Sequence, residues 1–255
     1  MASGPASPVV VITGASSGIG AALARELASR GASLVLTARR EPLLREVAGA
    51  LGGPVEVVPG DATRRDDLEQ VLARALARFG RVDAWVNNAG RGITRASLQD
   101  VSGDDLDLMI RDNTRSALFG MQVVLPHFKE RRQGVLANVS SMLSRVPAFS
   151  VRAAYSASKA ALNSLTESLR FELAEKYPQI RVVLVLPGVV ATDFGNSALG
   201  GGPDSRRIPG GQSAEDVARI IADGLFEGPL DLYTRPERLE PVLGHLRGLA
   251  QGLTK

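Results

Sequence analysis

The chain has 255 residues, 44% hydrophobic and 22% charged, with a formal net charge of +3. That balance suits a folded protein with a sizeable core and excludes a disordered chain; the absence of any Cys excludes disulfides, thiolate catalysis and Cys-ligated zinc. The two His, His127 and His245, lie far apart and argue against a His triad or a His metal site, and the Arg residues are too dispersed to form a nucleic-acid stripe.

Residues 8–13 (PVVVIT) form a β-branched run, followed by the glycine turn GASSGIG and a helix-spaced apolar pattern over 21–32. Further strands are predicted at 33–39, 55–61, 82–90, 134–141, 180–188 and 230–234. Helices are predicted at 41–53, 64–80, 103–131 and 152–176. A last helix starts near Ser213, where SAED provides a Ser cap with an acid three residues on. The strands are uninterrupted apolar runs, as expected of a parallel sheet with helices on both faces, so the fold class is α/β. No repeat or linker divides the chain, and one domain over 1–255 is expected. Residues 1–7 read as a flexible N-terminus, 193–212 as a Gly- and Pro-rich substrate loop or lid, and 235–255 as a basic, amphipathic closing helix. No apolar run is long enough to span a bilayer, and MASGPASP lacks the features of a secretory signal, so a cytoplasmic protein without membrane association is expected.

The turn from Thr13 to Gly20 joins the first strand to the first helix. Gly14 suits a tight turn, while Gly18 and Gly20 let backbone approach a pyrophosphate and let helix pack on strand. With Ser16, Ser17 and Ile19, the helix start offers N–H groups and a favourable dipole to an anion. The first glycine interval is longer than in G-x-G-x-x-G, and a plain tight connection would use the same residues. The second strand ends LTARR at 36–40. A carboxylate at its tip would bind a ribose 2′-hydroxyl and repel a 2′-phosphate, whereas a guanidinium binds the phosphate. Arg39, ahead of Arg40, is the expected contact; two solvated arginines are the plain alternative.

Taken in order, TGASSGIG (13–20), Asp61, NNAG (87–90), Asn113, NVSS (138–141), YSASK (155–159) and PGVVAT (187–192) resemble the single-domain short-chain dehydrogenases/reductases over nearly the whole chain. Each string is common alone; their order and spacing together are specific. The resemblance implies a Rossmann-type doubly wound parallel sheet of about seven strands, a nicotinamide cofactor, and oxidation of an alcohol or reduction of a carbonyl. It implies Tyr155 as acid–base, Lys159 as its partner, a Ser of NVSS on the substrate oxygen, and Asn113 holding a water that links Lys159 to solvent. It assigns Gly14, Ser16, Ser17, Gly18, Ile19 and Gly20 to the cofactor, with Asp61 and Ala62 at the adenine and Asn88, Ala89 and Gly90 along it. Pro187, Gly188, Val190 and Thr192 join them at the nicotinamide end. Ser17 stands where NADP-dependent members often carry a basic residue, which leaves the preference for NADP(H) over NAD(H) to Arg39. The segment between NVSS and Tyr155 is slightly longer than usual, so Ser141 is the positional match and Ser140 stays open. Homodimers or homotetramers through the two long helices are common in the family.

A phenol is a poor base at neutral pH, and an ammonium beside it favours the phenolate. Four residues apart on a helix, Tyr155 and Lys159 share a face. Plain readings stand beside these roles: Asn113 as a satisfier of local backbone around which helix 103–131 bends, and Asp61 and NNAG as turn formers. The competing functional reading is a non-catalytic dinucleotide-binding redox sensor acting through partner contacts. A sugar-nucleotide epimerase or dehydratase would need a C-terminal substrate domain, for which the remainder after 190 leaves little room. The small carbonyl or alcohol substrate is expected between 91–97, 142–152 and 193–212, against Leu143, Val146, Phe149, Phe194 and Leu199.

Overall fold

The computed structural model describes residues 7–146, 150–236 and, beyond them, 240, 243, 244, 247, 248 and 252. Residues 1–6, Phe149 and most of the 235–255 segment lie outside the described residues.

The strands are β1 (Val9–Thr13), β2 (Ser33–Thr37), β3 (Val55–Val57), β4 (Ala84–Asn87), β5 (Gly134–Val139), β6 (Ile180–Leu186) and β7 (Asp231–Tyr233). The helices are α1 (Gly18–Ser29), α2 (Glu41–Gly49), α3 (Arg65–Phe79), α4 (Gly103–Met109), α5 (Ser116–Arg131), α6 (Ala153–Ala174) and α7 (Ala214–Gly224). All seven strands run parallel in one sheet, ordered β3-β2-β1-β4-β5-β6-β7. The chain builds outward from β1 through β2 and β3, then crosses back to β4 on the other side of β1. The crevice beyond the C-terminal ends of β1 and β4 is where such sheets take ligands.

Strand β1 shows why the strand runs are uninterrupted. Val10 and Ile12 pack with Leu23 and Leu27 of α1 and Val217 and Ile221 of α7. Val11 points to the opposite layer, among Leu68 of α3, Trp85 of β4, Phe128 of α5 and Leu169 of α6. Both faces are core, so alternation with polar residues is absent. Full burial of one such side chain contributes roughly 1.5–3 kcal/mol.

The sequence pattern overruns several strand ends. β3 stops at Val57, β4 at Asn87, β5 at Val139 and β6 at Leu186. Past those points the chain leaves the sheet at its C-terminal edge, as where Asn88 N–H donates to Val86 O at 3.1 Å. The predicted helix 103–131 is interrupted too: α4 passes through a π-helical stretch, Ile110–Arg115, before α5. Such stretches recur at functional sites, and this one carries Asn113. The Ser213 cap is as expected, its Oγ accepting from Asp216 N at 2.9 Å. Among the described residues no helix is long and apolar enough to cross a membrane.

Candidate active site

The glycine turn is pressed against the exit of β4. Gly14 has φ +67° and Gly18 φ +55°, conformations that L side chains rarely adopt. A Cβ on Gly14 would stand 2.9 Å from Ala89 Cα, and one on Gly20 would stand 2.5 Å from Asn88 Nδ2. Asn88 Nδ2 donates to Thr13 O at 2.9 Å, and Thr13 Oγ1 accepts from the Asn88 and Ala89 amides, both at 3.0 Å. Asn88 therefore fastens the turn to the end of β4. Ser17 precedes α1 without a side-chain cap bond, which leaves the first N–H groups of the helix for an anion.

Tyr155 lies in the first turn of α6 and is buried, as is Lys159 one turn on. Ser141 hydrogen-bonds the phenol, and its Oγ also accepts from Leu143 N at 3.2 Å. Ser140 points elsewhere: its hydroxyl donates to Asn163 Oδ1 at 2.6 Å. Lys159 Nζ donates to Val139 O at 2.8 Å and stands 6.0 Å from the Tyr155 ring centroid. Burial pushes the phenol up to about 12, opposed by the Ser141 hydrogen bond and the charge of Arg152. Burial likewise brings the Lys159 ammonium down to about 8.

Asn113 is fully buried behind this pair. Its Oδ1 accepts from Arg91 N at 2.8 Å, and its Nδ2 donates to Arg91 O at 2.9 Å and to Ser158 Oγ at 3.1 Å. A Cβ on Gly90 would lie 2.7 Å from Asn113 Oδ1 and 3.4 Å from Lys159 Nζ, so the glycine lets both groups close in. Asp61 performs the turn role, its Oδ1 accepting from Thr63 N at 2.9 Å. Thr192 lies over the glycine turn, its Cγ2 3.5 Å from the place of a Gly18 Cβ.

These groups meet in a cavity of about 680 Å³. Its lining includes Gly14, Ser16, Ser17, Gly18, Ile19, Arg39, Asp61, Ala62, Asn88, Ala89, Gly90, Ser141, Tyr155, Lys159, Pro187, Gly188, Val190 and Thr192. Gly20 and Asn113 stand behind that wall rather than in it. Of the expected apolar wall, Leu143 and Phe194 reach the cavity, Phe194 edge-on to Tyr155 with centroids 5.6 Å apart. Val146 and Leu199 are not part of the lining.

Residues 8–199 match the family model for the short chain dehydrogenases. The chain belongs to the short-chain dehydrogenase family. An uncharacterised oxidoreductase of Staphylococcus epidermidis is 36% identical over 193 residues, covering 73% of this chain and 82% of that one. A short-chain dehydrogenase structure from Streptomyces avermitilis has a TM-score of 0.83 at 30% identity, covering 97% of this chain and 96% of that one. A short chain dehydrogenase/reductase from Burkholderia phymatum, in complex with NAD, has a TM-score of 0.84 at 26% identity and covers 98% of this chain and 95% of its own. The chain is thus an oxidoreductase of the short-chain dehydrogenase type.

The residues present fit a dinucleotide. The glycine cradle and the uncapped start of α1 suit a pyrophosphate, and Thr37 Oγ1, on a cavity-lining residue, is buried without a hydrogen-bond partner. Two arginines of this short-chain dehydrogenase sharpen the sequence reading. Arg40, ranked behind Arg39, folds over the turn and donates from Nη2 to Ser17 Oγ at 2.7 Å and Ser16 Oγ at 3.3 Å. Arg39 stays in the cavity lining, its Nη1 4.0 Å from Asp61 Oδ2. Arg152 falls at the end of the expected 142–152 pocket segment but was not singled out. Its only sequence signal is a positive charge three residues before Tyr155, and nothing in the motifs gives that position a role.

Proposed function

We propose that the chain is an NADP(H)-dependent oxidoreductase that moves a hydride between nicotinamide and a carbonyl or secondary alcohol, with Tyr155 as acid–base. The observation that carries this reading is the Ser141–Tyr155–Lys159 cluster in the wall of the same cavity as the glycine turn. The preference for NADP(H) rests on the absence of a carboxylate at the tip of β2 and on Arg39 and Arg40 beside the turn. Arg40 supplies in space the basic group that position 17 lacks, and a guanidinium there can fork onto a 2′-phosphate.

Bound nicotinamide supplies or accepts the hydride. Ser141 holds the substrate oxygen by its hydroxyl. In reduction Tyr155, protonated throughout the neutral range, gives its proton to that oxygen as alkoxide character develops. Lys159 holds positive charge behind the phenol and offers donors to ribose hydroxyls. Asn113 fixes the backbone at Arg91 and, through a water, completes the route by which Tyr155 regains a proton. Gly188, Val190 and Thr192 border the nicotinamide end. In this reading the protein is cytoplasmic and works as a homodimer or homotetramer through α5 and α6, where Phe171 is exposed.

The test is a screen of aldehydes, ketones, quinones and 3-oxoacyl thioesters with NADPH and NADH. Tyr155→Phe should cut kcat/KM by about 10²–10⁴-fold while NADPH affinity is retained. Binding of NADPH by the wild type without turnover of any substrate would favour the redox sensor. A clear NADH preference would remove the argument from Arg39 and Arg40.

A further inference from the structure

The cavity holds a cation near Tyr155 that the chemistry above leaves without a task. Arg152 is partly buried at the start of α6 and lines the cavity. Its Nη1 donates to Ile93 O at 3.1 Å, and among the described residues no carboxylate pairs with it and Nη2 donates to nothing. Nearby arginines are different: Arg91 lies on Asp112 at 3.2 Å and Arg95 on Asp105 at 2.6 Å. Burial lowers the Arg152 pKa from its ordinary value, with the nearby Tyr155 phenol acting the other way. A partly buried guanidinium without a counter-charge carries a desolvation cost that an anion would offset.

A second observation falls at the same place. Thr94 Oγ1 is buried without a hydrogen-bond partner, on another residue of the cavity lining. A Cβ on Gly202 would lie 2.9 Å from Gly195 O, 3.1 Å from Thr94 Oγ1 and 3.2 Å from Arg152 Nη2. The orphaned hydroxyl and the spare guanidinium edge are therefore neighbours beside Gly202, on residues that both line the cavity. Phe194 lies by the other guanidinium nitrogen: a Cβ on Gly92 would meet Phe194 Cε1 at 2.9 Å and Arg152 Nη1 at 3.1 Å. From there the wall continues to Tyr155.

Resting on the oxidoreductase reading and deepening it, we propose that the substrate is an oxo acid or hydroxy acid whose carboxylate is bound by Arg152 and Thr94 while its carbonyl or hydroxyl oxygen lies on Ser141 and Tyr155. One guanidinium edge and one hydroxyl match the single charge and two oxygens of a carboxylate. In reduction the carbonyl carbon gains the hydride of NADPH and the carbonyl oxygen gains the Tyr155 proton. The products are the hydroxy acid, with its carboxylate unchanged, and NADP⁺.

The probes are levulinate and 5-oxohexanoate, each against its methyl ester, which keeps the ketone and removes the charge. Binding is read by calorimetry on NADPH-loaded Tyr155→Phe, so that turnover is not required. At least one acid should bind about 10–150-fold tighter than its ester, the range of a charge-assisted hydrogen bond. That margin should vanish when Arg152→Gln is added, shrink with Thr94→Val, and partly return with Arg152→Lys. With Tyr155 intact, at pH 7, Arg152→Gln should raise KM for the acid by a much larger factor than KM for the ester. Equal binding of acid and ester, or parallel losses for both in Arg152→Gln, would overturn the proposal. Arg152-dependent acid binding without turnover would uphold the carboxylate site and sink the oxidoreductase reading. Turnover of neutral ketones with no acid preference would do the reverse.

Discussion

Tyr155 starts with its proton on. Its phenol is pushed up to about 12 by burial, and the Ser141 hydrogen bond and Arg152 pull against that rise. Reduction needs the protonated form, which is present throughout the neutral range. Alcohol oxidation needs the phenolate, so its rate should climb with pH toward the apparent pKa of the coupled Tyr155 and Lys159 pair. Removing the Arg152 charge removes stabilisation of the phenolate and raises that pKa. Arg152→Gln should therefore shift the alkaline limb of oxidation of a neutral secondary alcohol to higher pH. Reduction of a neutral ketone at pH 7 should stay as it is. The measurement is kcat/KM against pH in both directions, and an unmoved or lowered limb would count against Arg152 acting on the phenol. Tyr155, Lys159 and Ser141 could be named from the sequence through the family resemblance, because NVSS and YSASK keep their order and spacing with the other motifs. Arg40 was ranked behind Arg39 and Arg152 was given no role, because the meaning of both depends on what folds against them. Arg40 reaches Ser17 across 23 positions of chain, and Arg152 is set apart by the counter-charge it lacks.

Between elements, the site is held by polar groups buried in the core. Trp85 Nε1 donates to Asn87 Oδ1 at 2.9 Å, Asn87 Nδ2 to Asn138 Oδ1 at 2.9 Å, and Asn138 Nδ2 to Thr166 Oγ1 at 2.9 Å. The chain of bonds links β4, β5 and α6, and α5 closes over it at Gly120. A Cβ there would stand 2.0 Å from Asn87 Oδ1 and 2.8 Å from Trp85 Nε1. Gly120→Ala should therefore destabilise the fold by about 1–3 kcal/mol, the usual cost of overpacking. Gly49→Ala is the control, since a Cβ at that helical position meets nothing within 4 Å. It should be neutral or stabilise by about 0.4–1 kcal/mol through the unfolded state. Urea unfolding of both variants decides, and equal stabilities would mean that α5 sits less tightly on β4 than described. The order and type of the elements were legible because each strand is an apolar run and each helix an amphipathic one. The π-helical stretch was not, because one extra residue in a turn barely disturbs helical spacing over a long window. Nor was the Asn87–Asn138–Thr166 network, whose partners are brought together only by sheet register and helix packing.

Across the whole molecule, segments following most of the strands converge on one edge of the sheet, and the 193–212 loop lies across them. Thr94 N donates to Leu199 O and Leu199 N to Gly92 O, both at 2.9 Å. Phe194 leans on Tyr155, and Ser205 is buried in the cavity wall. The outer side differs: Arg206 and Arg207 are exposed, and the Arg206 side chain holds Asp204 and Asp193 through surface ion pairs, which contribute little, beside one local bond from Arg206 N to Asp204 Oδ1 at 3.1 Å. A segment fastened by a few bonds opens at small free-energy cost, so trypsin should reach the bonds after Arg206 and Arg207 through local opening. A ligand that fills the cavity touches the inner side of the loop and must leave before it opens. At a ligand concentration about 100 times Kd, that linkage adds about 2.7 kcal/mol to the opening cost, which slows cleavage by up to about 100-fold. The experiment uses Tyr155→Phe, which consumes nothing, and follows cleavage after Arg206 and Arg207 in the free protein, with NADPH, and with NADPH plus an oxo acid. Protection should be largest in the last condition. Equal protection in the last two would tie the loop to the cofactor rather than the substrate. Equal cleavage in all three would show that the loop does not respond to the cavity, and the residues that close the substrate pocket would then have to be sought in the segment around Leu143.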